Sequence, residues 1–288
     1  MEQHARTVAR VVTPQSVMEG AGVRLRRSFP TQALDYPDPF LLFDHFGSEN
    51  PADYLAGFPM HPHRGIETVT YMLAGIVAHR DSIGNSGTIA GGDVQWMTAG
   101  RGILHEEMPQ AQDGMMAGFQ LWVNLPAKDK MIHPRYQEIA STTIPEVTRS
   151  DGVCIRVIAG AVEGVRGPVT EIVADPTYLD ISLPANLTYS HPSPRGHAVL
   201  AYVFEGEGQF GVGSEGKGTT VSAPKMIVFN DGDTVEVRSG PQPVRFLLMS
   251  GRPSNEPIVR YGPFVMNTWE EIEQTLRDLR QGTFAQRD

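Results

Sequence analysis

The chain contains little of what stabilises secreted proteins or anchors membrane proteins. Its 288 residues include a single cysteine, Cys154, which excludes an internal disulfide and a thiolate metal cluster. No run approaches the ~20 apolar residues that a membrane-spanning helix needs. The opening segment, MEQHARTVARVV, lacks the apolar stretch of a signal peptide. We therefore predict no membrane association and a cytoplasmic location, where thiols stay reduced.

The chain also lacks an excess of positive charge. Lysine and arginine together number 24 against 33 aspartate and glutamate residues, a formal net charge of −9. An acidic chain is not attracted to phosphate backbones by its overall charge. We expect no direct nucleic-acid partner.

Turn-forming residues are abundant, with 30 glycines and 22 prolines. Between the turn clusters lie short apolar or alternating runs, which predict strands in a sandwich or barrel. These runs are Val8–Val12, Phe40–Phe43, Ile66–Leu73, Phe119–Leu125, Cys154–Ile158, Val199–Phe204, Met226–Phe229 and Val244–Met249.

One helix is predicted near the end of the chain. Thr268 followed by Glu271 has the spacing of a capping box. Ile272, Leu276 and Leu279 would then form one apolar face. The fold class predicted from the residues is all-β with a C-terminal α-helix.

The two halves of the chain resemble each other. HPHRGIETVTYMLAG, residues 61–75, aligns with PSPRGHAVLAYVFEG, residues 192–206, and the pairs Arg64-Gly65, Tyr71 and Gly75 recur at one offset. The alignment places His61 and His63 on prolines. Matching Gly92-Asp93 with Gly232-Asp233 then places His105 on Arg245 and Glu107 on Leu247. We therefore predict a duplicated scaffold whose second copy has lost the candidate ligands.

Two short motifs in the first half carry the chemistry. His61 and His63 are two residues apart at a strand entry, and His105 and Glu107 have the same spacing. Alternation along a strand sends both members of each pair to one face. Three imidazoles and one carboxylate suit a divalent metal with open positions. The ordinary alternative for such a pair is strand or surface chemistry.

Other residues are weaker candidates. Glu67 is interpreted as lying on the same strand face as His61 and His63, as a rival fourth ligand or as a partner that orients a histidine. Glu106 should point away from the site, and His79 should face a strand surface. Trp96, Met97, Phe119 and Trp122 are predicted to fill the barrel core, with the wall of a metal pocket as the alternative for each.

The segments HPHRGIETVTYMLAG, GGDVQWMTAGRGILHEEMP, DPFLLFDHFG and YGPFVMNTWEEI resemble the pirin family of bicupins. The resemblance extends from Val23 to Leu279. It implies two cupin domains, which are jelly-roll-like β-barrels, with one divalent metal in the first, held by His61, His63, His105 and Glu107. Thr98-Ala99-Gly100 stands where cupins commonly have Pro-x-Gly, a departure that pirins share.

The predicted division gives residues 1–138 to the metal-binding N-terminal cupin. Residues 139–146 would be a linker, within a polar, proline-bearing stretch. Residues 147–288 would form a C-terminal cupin without metal ligands, followed by the terminal helix.

The resemblance implies two functions. Family members are Fe(II) proteins, and some bacterial relatives cleave the flavonol quercetin with O2, releasing carbon monoxide. The first hypothesis is therefore an Fe(II)-dependent quercetin 2,3-dioxygenase-like oxidoreductase, in which Glu107 is a ligand or a base and Glu67 is a second candidate for proton transfer. Zn, Ni, Mn, Co and Cu are alternative ions.

The alternative hypothesis is a metal-dependent protein-interaction module that acts as a redox-sensing transcriptional or metabolic co-regulator, as the animal relative is. The mouth of the first barrel discriminates between the two hypotheses. A roomy apolar pocket at the metal favours an aromatic substrate, whereas a blocked mouth beside a flat charged surface favours a protein partner.

Overall fold

The computed structural model describes residues 4–111, 114–213 and 216–285. These residues form 24 strands, one α-helix and three short 3₁₀ helices, at Pro51–Asp53, Ala127–Asp129 and Ser141–Thr143. In chain order the strands and the helix are β1 Val8–Val12, β2 Gln15–Glu19, β3 Val23–Phe29, β4 Phe40–Ser48, β5 Phe58–His63, β6 Ile66–Ala74, β7 Ile76–Asp81, β8 Ser86–Ala90, β9 Val94–Thr98, β10 Ile103–Pro109, β11 Met116–Asn124, β12 Arg135–Ile139, β13 Glu146–Thr148, β14 Cys154–Ala159, β15 Ala161–Val162, β16 Val165–Arg166, β17 Thr177–Leu183, β18 Thr188–Pro192, β19 Ala198–Phe210, β20 Thr219–Ser222, β21 Lys225–Phe229, β22 Thr234–Gly251, β23 Val259–Tyr261, β24 Phe264–Met266 and α1 Trp269–Gln281.

The described chain divides into two compact units. The first barrel consists of the described parts of Gln15–Thr31, Phe40–Ser141 and Ser254–Asp288. The second barrel consists of the described parts of Met1–Pro14, Gln32–Pro39 and Thr142–Pro253. The division by sequence assigned the first fourteen residues to the first half and residues 254–288 to the second half. In the structure, the first of these segments belongs to the second barrel, because β1 pairs with β21. The second segment belongs to the first barrel, where the backbone amide of Val265 donates a hydrogen bond to the carbonyl oxygen of Arg64.

The first barrel is built from two antiparallel sheets. One has seven strands in the order β12-β9-β6-β11-β4-β3-β2, and the other has four in the order β5-β10-β7-β8. One face of the larger sheet is covered by fully buried aromatic side chains, and the Phe119 ring centre lies 5.7 Å from that of Phe43 and 6.1 Å from that of Tyr71. Burial of each such side chain contributes about 1.5–3 kcal/mol. The opposite face carries polar side chains, among them Thr70 and Gln120, next to apolar ones such as Leu42 and Trp122.

The second barrel is a nine-stranded sheet whose main path is β1-β21-β19-β22-β17-β14-β13, with β18 on β22 and β20 on β19. Its interior is a continuous cluster of buried apolar side chains. The all-β fold of two cupin barrels with one C-terminal helix, predicted from the sequence, is confirmed. Helix α1 is too short and too polar to cross a bilayer, and the described residues contain no other α-helix.

Helix α1 begins where the capping box predicted. The Thr268 hydroxyl accepts a hydrogen bond from the Glu271 amide, and the Glu271 carboxylate accepts one from the Thr268 amide. Ile272 is buried and Leu276 packs beside it. Leu279 is instead exposed, and Thr275 occupies the buried position one turn earlier.

The internal repeat is visible in the strand pairing, with a correction. His61 pairs with His105 across β5 and β10, and the equivalent Pro192 pairs with Thr234 across β18 and β22. His105 therefore corresponds to Thr234. The expectation that it aligns with Arg245 was wrong, because β21 is the counterpart of β9 and Gly232-Asp233 follows this strand instead of preceding it.

Candidate metal centre

Strands β5 and β10 bring three histidines to one point. His61 and His105 are directly paired, and His63 lies two residues along β5. One ring nitrogen from each of the three lies within 4.8 Å of the others. The predicted convergence of two alternating pairs thus brings together the three imidazoles, which could hold a metal ion.

The hydrogen bonds of His61 define its tautomer. Its Nδ1 lies 2.9 Å from the Pro59 carbonyl oxygen, so Nδ1 carries the proton and Nε2 presents a lone pair. This Nε2 is 3.0 Å from Nε2 of His63. Two nitrogen ligands at right angles on one metal ion, each about 2.1 Å from it, would be about 3.0 Å apart.

Both ring nitrogens of His105 lack a protein partner. His105 is 1% exposed, and neither nitrogen forms a hydrogen bond within the described residues. A proton shared between His61 and His63 would still leave these two nitrogens unsatisfied, at a free-energy cost that folded proteins rarely tolerate. A bound cation removes that cost for the nitrogens that face it.

Burial also keeps the imidazoles of His63 and His105 neutral. It lowers the pKa of His105 to about 4, with the positive field of His61 acting in the same direction and Glu107 opposing it. Burial, followed by His105 and His61, lowers the pKa of His63 well below its ordinary value. Neutral imidazole is the form that binds a metal. The donor set and its protonation therefore fit a divalent ion.

Glu107 lies on β10 beside this centre, but other residues hold its carboxylate. Thr70 donates its hydroxyl to Oε1 at 3.0 Å, and the Gln120 amide donates to Oε2 at 3.0 Å. Its oxygens are not part of the group formed by the three histidines. Glu107 as fourth ligand stays a prediction.

Gln120 is a residue of the candidate site that the sequence reasoning missed, and it lies beside Trp122. The Trp122 indole donates its Nε1–H to the Gln120 side-chain oxygen at 3.3 Å, so Trp122 and Gln120 hold Glu107 through a chain of hydrogen bonds. The Trp122 ring meets the His63 ring edge to face at 5.0 Å. Trp122 is therefore a wall of the site, the alternative that the sequence left open. A glutamine within the apolar run FQLWVN was the available signal.

Glu67 lies on the other face of the sheet. It pairs with Thr98, whose hydroxyl donates to its carboxylate at 2.8 Å, whereas its strand neighbour Thr70 faces Glu107. Burial raises the pKa of Glu67. The prediction that Glu67 shares a face with His61 and His63 was wrong, because the turn at Arg64-Gly65 separates β5 from β6 and interrupts the alternation.

Two further predictions concern neighbours of the site. Glu106 points away from the histidines and pairs with Arg80, as predicted. His79 does not face a surface. It is 3% exposed, it lies opposite Glu107 in the β7–β10 pairing, and its Nε2 is 2.9 Å from the Glu138 carboxylate.

A cavity of about 460 Å³ opens at the histidines. Its walls combine apolar side chains with two arginines and two carboxylates. One arginine, Arg27, is bound to both carboxylates: it donates to the two oxygens of Asp44 at 2.9 and 2.7 Å and to Glu19 at 2.7 Å. Burial raises the pKa of Asp44 to about 6, against the opposing effect of Arg27. The lining residues include Leu42, Phe58, Pro59, His61, His63, Gln120, Trp122, Arg260 and Pro263.

A β-barrel of this kind, with three histidines converging at an open cavity, defines a metal-binding cupin. The family model described as Pirin matches residues 22–123, and the Pirin C-terminal cupin domain matches residues 178–285. The chain belongs to the pirin family.

Relatives match along nearly the whole length. A pirin-like protein of Caulobacter vibrioides is 44% identical over 280 residues, covering 97% of this chain and 99% of that protein. Pirin of Homo sapiens is 43% identical over 265 residues, covering 91% and 88%. The crystal structure of a quercetin 2,3-dioxygenase from Acinetobacter baumannii matches with a TM-score of 0.88 at 33% identity, covering 97% of this chain and 98% of the other.

Proposed function

We propose that this protein is an Fe(II)-dependent dioxygenase that cleaves quercetin or a related flavonol with O2. The observation that carries the proposal is the roomy cavity of apolar and charged side chains that has His61 and His63, two of the three converging histidines, in its wall. A pocket of this size that combines apolar walls with polar groups suits an aromatic small molecule with polar substituents. The similarity to a quercetin 2,3-dioxygenase structure supports the same class of reaction.

His61, His63 and His105 would hold the ion, and Glu107 is the candidate for a fourth ligand. When bound, a divalent iron supplies Lewis-acid and electron-transfer chemistry at the 3-oxygen of the flavonol. Iron is chosen on the family resemblance, since the imidazole donors also suit other divalent ions.

The residues of the chain itself position the substrate and move its proton. Phe58, Leu42 and Trp122 supply apolar walls that exclude water from the flavonol rings. We assign Glu107 as the base that accepts the 3-hydroxyl proton, because this buried carboxylate follows His105 by two residues on β10 and is bonded to Gln120 of the cavity wall. Thr70 and Gln120 hold its oxygens in place.

The test is turnover by the Fe(II)-loaded protein. We expect quercetin to drive uptake of O2 and release of carbon monoxide, measured with an oxygen electrode and a haem-protein trap. The His105→Ala variant should lose both the bound metal and the activity. His191→Gln, which changes a buried histidine of the second barrel, should keep about one metal ion per chain and full activity.

No turnover of flavonols by the Fe, Mn, Ni, Co and Cu forms would overturn the proposal. The co-regulator hypothesis remains a prediction from the resemblance, and the open cavity does not favour it. The cytoplasmic location likewise remains a prediction.

A further inference from the structure

Arg260 differs from the other cation in the cavity wall. It lies on β23, in the segment that returns to the first barrel, and it lines the same cavity as His61 and His63. Its Nε–H donates to the Gly262 carbonyl oxygen at 3.0 Å, and its guanidinium carbon lies 4.9 Å from the centre of the Trp122 ring. These two contacts fix the side chain in the cavity wall while leaving its terminal nitrogens available.

Of the two arginines in the cavity wall, one is paired with carboxylates and the other is not. Both carboxylates in the wall, Glu19 and Asp44, are bound to Arg27. Within the described part of the chain, no carboxylate lies within 4.0 Å of the Arg260 guanidinium. Asp44 feels the charge of Arg260 at longer range, but its two oxygens are both bound to Arg27. An anionic group entering the cavity would therefore meet one cation that has no carboxylate in direct contact.

The spacing suits an extended aromatic molecule. His63 and Arg260 both contact Trp122, whose ring centre is 5.0 Å from that of His63 and 4.9 Å from the Arg260 guanidinium carbon. The guanidinium therefore lies at most about 10 Å from the His63 ring. A molecule of two or three rings with its reacting oxygen at the histidines is long enough to bring a charged substituent to Arg260.

We propose that Arg260 is a specificity-determining residue that selects aromatic substrates carrying an anionic substituent, a carboxylate or an ionised phenol, remote from the reacting oxygen. The inference rests on the proposed function, because it concerns the substrate class of the same cavity. Guanidinium binds carboxylate through two parallel, charge-assisted hydrogen bonds. Trp122 holds the guanidinium in place before the ligand arrives, which reduces the entropy lost on binding.

The experiment compares two probes on the full chain loaded with Zn(II), which is redox-inactive. The probes are 3-hydroxyflavone and 3-hydroxyflavone-4′-carboxylate, and binding is followed by flavonol fluorescence. The variants are Arg260→Gln, Arg260→Lys and a control, Arg24→Gln, which removes an exposed arginine outside the cavity. Circular dichroism and zinc content verify that each variant is folded and loaded.

We expect Arg260→Gln to weaken binding of the carboxylate probe by about ten-fold or more, and binding of the neutral probe by less than about three-fold. Arg260→Lys should keep part of the preference, and Arg24→Gln should match the unmodified protein. Equal losses for both probes, no loss for either, or no binding of either probe would overturn the inference. The proposed function is judged separately, because turnover of quercetin by the Fe(II) form can succeed or fail independently of this preference.

Discussion

Glu107 is held by Thr70 and Gln120 at a point beside the three histidines. The two possible roles of this carboxylate, metal ligand and general base, predict different effects of removing its charge. If the histidines alone retain the ion, loss of the carboxylate charge removes proton transfer and leaves metal binding intact. If the carboxylate is needed as a ligand, metal affinity falls as well.

We predict that Glu107→Gln retains about one metal ion per chain and lowers kcat by roughly 10²–10⁴-fold, the usual effect of removing a general base. Glutamine keeps the size of the side chain and an oxygen for the Thr70 hydroxyl. Metal analysis and O2 uptake are measured on the same preparation. Loss of the ion from this variant would instead establish Glu107 as an essential ligand.

Some residues of the candidate site could be predicted from the sequence and others could not. The histidines were predictable because both pairs lie within continuous strands, where alternation holds. Glu67 was misplaced because Gly65, at φ +79°, turns the chain between β5 and β6, and an added Cβ there would lie 2.0 Å from the Val265 oxygen. Gln120 and Arg260 come from distant strands, and only tertiary pairing reveals that they share the cavity.

Helix α1 is the element whose start was most visible in the sequence. Its start depends on the reciprocal bonds of Thr268 and Glu271. Its buried face packs against β24 near Phe264, Met266 and Phe284. Stability of this helix therefore supports the segment that carries Arg260.

We predict that Thr268→Ala lowers the free energy of unfolding of the first barrel by about 1 kcal/mol, because the Glu271 amide loses its acceptor. Thr268→Ser keeps the hydroxyl and should lie within a few tenths of a kcal/mol of the unmodified protein. Urea unfolding followed by fluorescence measures both. Equal stabilities for the alanine and serine variants would show that the cap contributes nothing.

Apolar runs in the sequence predicted where strands lie, but they did not predict which strands pair with each other. β1 and β21 were each predicted as strands, with Val8–Val12 confirmed at both ends. Nothing in their local patterns indicated that they pair with each other across more than two hundred residues. A strand's own residues define which face is buried, whereas its partner depends on the path of the whole chain.

At the scale of the whole molecule, each barrel is completed by a segment from the other end of the chain. In the first barrel, Arg64 donates to Asp278 at 2.7 Å and Lys130 donates to the Val265 carbonyl at 2.9 Å. Both cations are buried. Without residues 254–285, Arg64 would lose its carboxylate partner and Lys130 one of its three acceptors, and the loss of the buried ion pair costs several kcal/mol.

We therefore predict that fragments 1–138 and 147–288, produced separately, do not unfold cooperatively, whereas the two produced together form a folded complex. Fragment 1–138 lacks Asp278, the carboxylate partner of Arg64, and Val265, one of the acceptors of Lys130. Each fragment also lacks one strand of the β1–β21 pair. Calorimetry measures whether unfolding is cooperative, and the spread of amide proton chemical shifts in NMR spectra shows whether each sample is folded. A monomeric, folded, metal-binding fragment 1–138 would restore the division predicted from the sequence.

Buried neutral histidines make the stability of the metal-free protein depend on pH. Burial lowers the pKa of His45 and of His191 to about 4, with Arg26 and Arg149 acting in the same direction. The unfolded chain takes up these protons near pH 6.5, and the folded chain takes them up only near pH 4. Stability is therefore complete above pH 6.5 and falls as the pH drops from 6.5 to 4.

We predict that His191→Gln reduces the loss of unfolding free energy between pH 7 and pH 5 by about 2 kcal/mol, the contribution of one such histidine. Urea midpoints at the two pH values, with metal removed, give the comparison. The hydrogen bond between Tyr189 and His191 can be replaced by the glutamine amide. An unchanged pH dependence would mean that His191 is already protonated in the folded protein.

Because the C-terminal segment belongs to the first barrel, this barrel can be completed only after the rest of the chain has been synthesised. The three histidines leave the ribosome early, but Arg260 in the cavity wall and Asp278, the carboxylate partner of Arg64, follow only after residue 253. Until then the nascent chain carries its imidazoles beside an incomplete cavity. The first half of the first barrel must therefore wait for the whole second barrel to be translated before its last strands can join it.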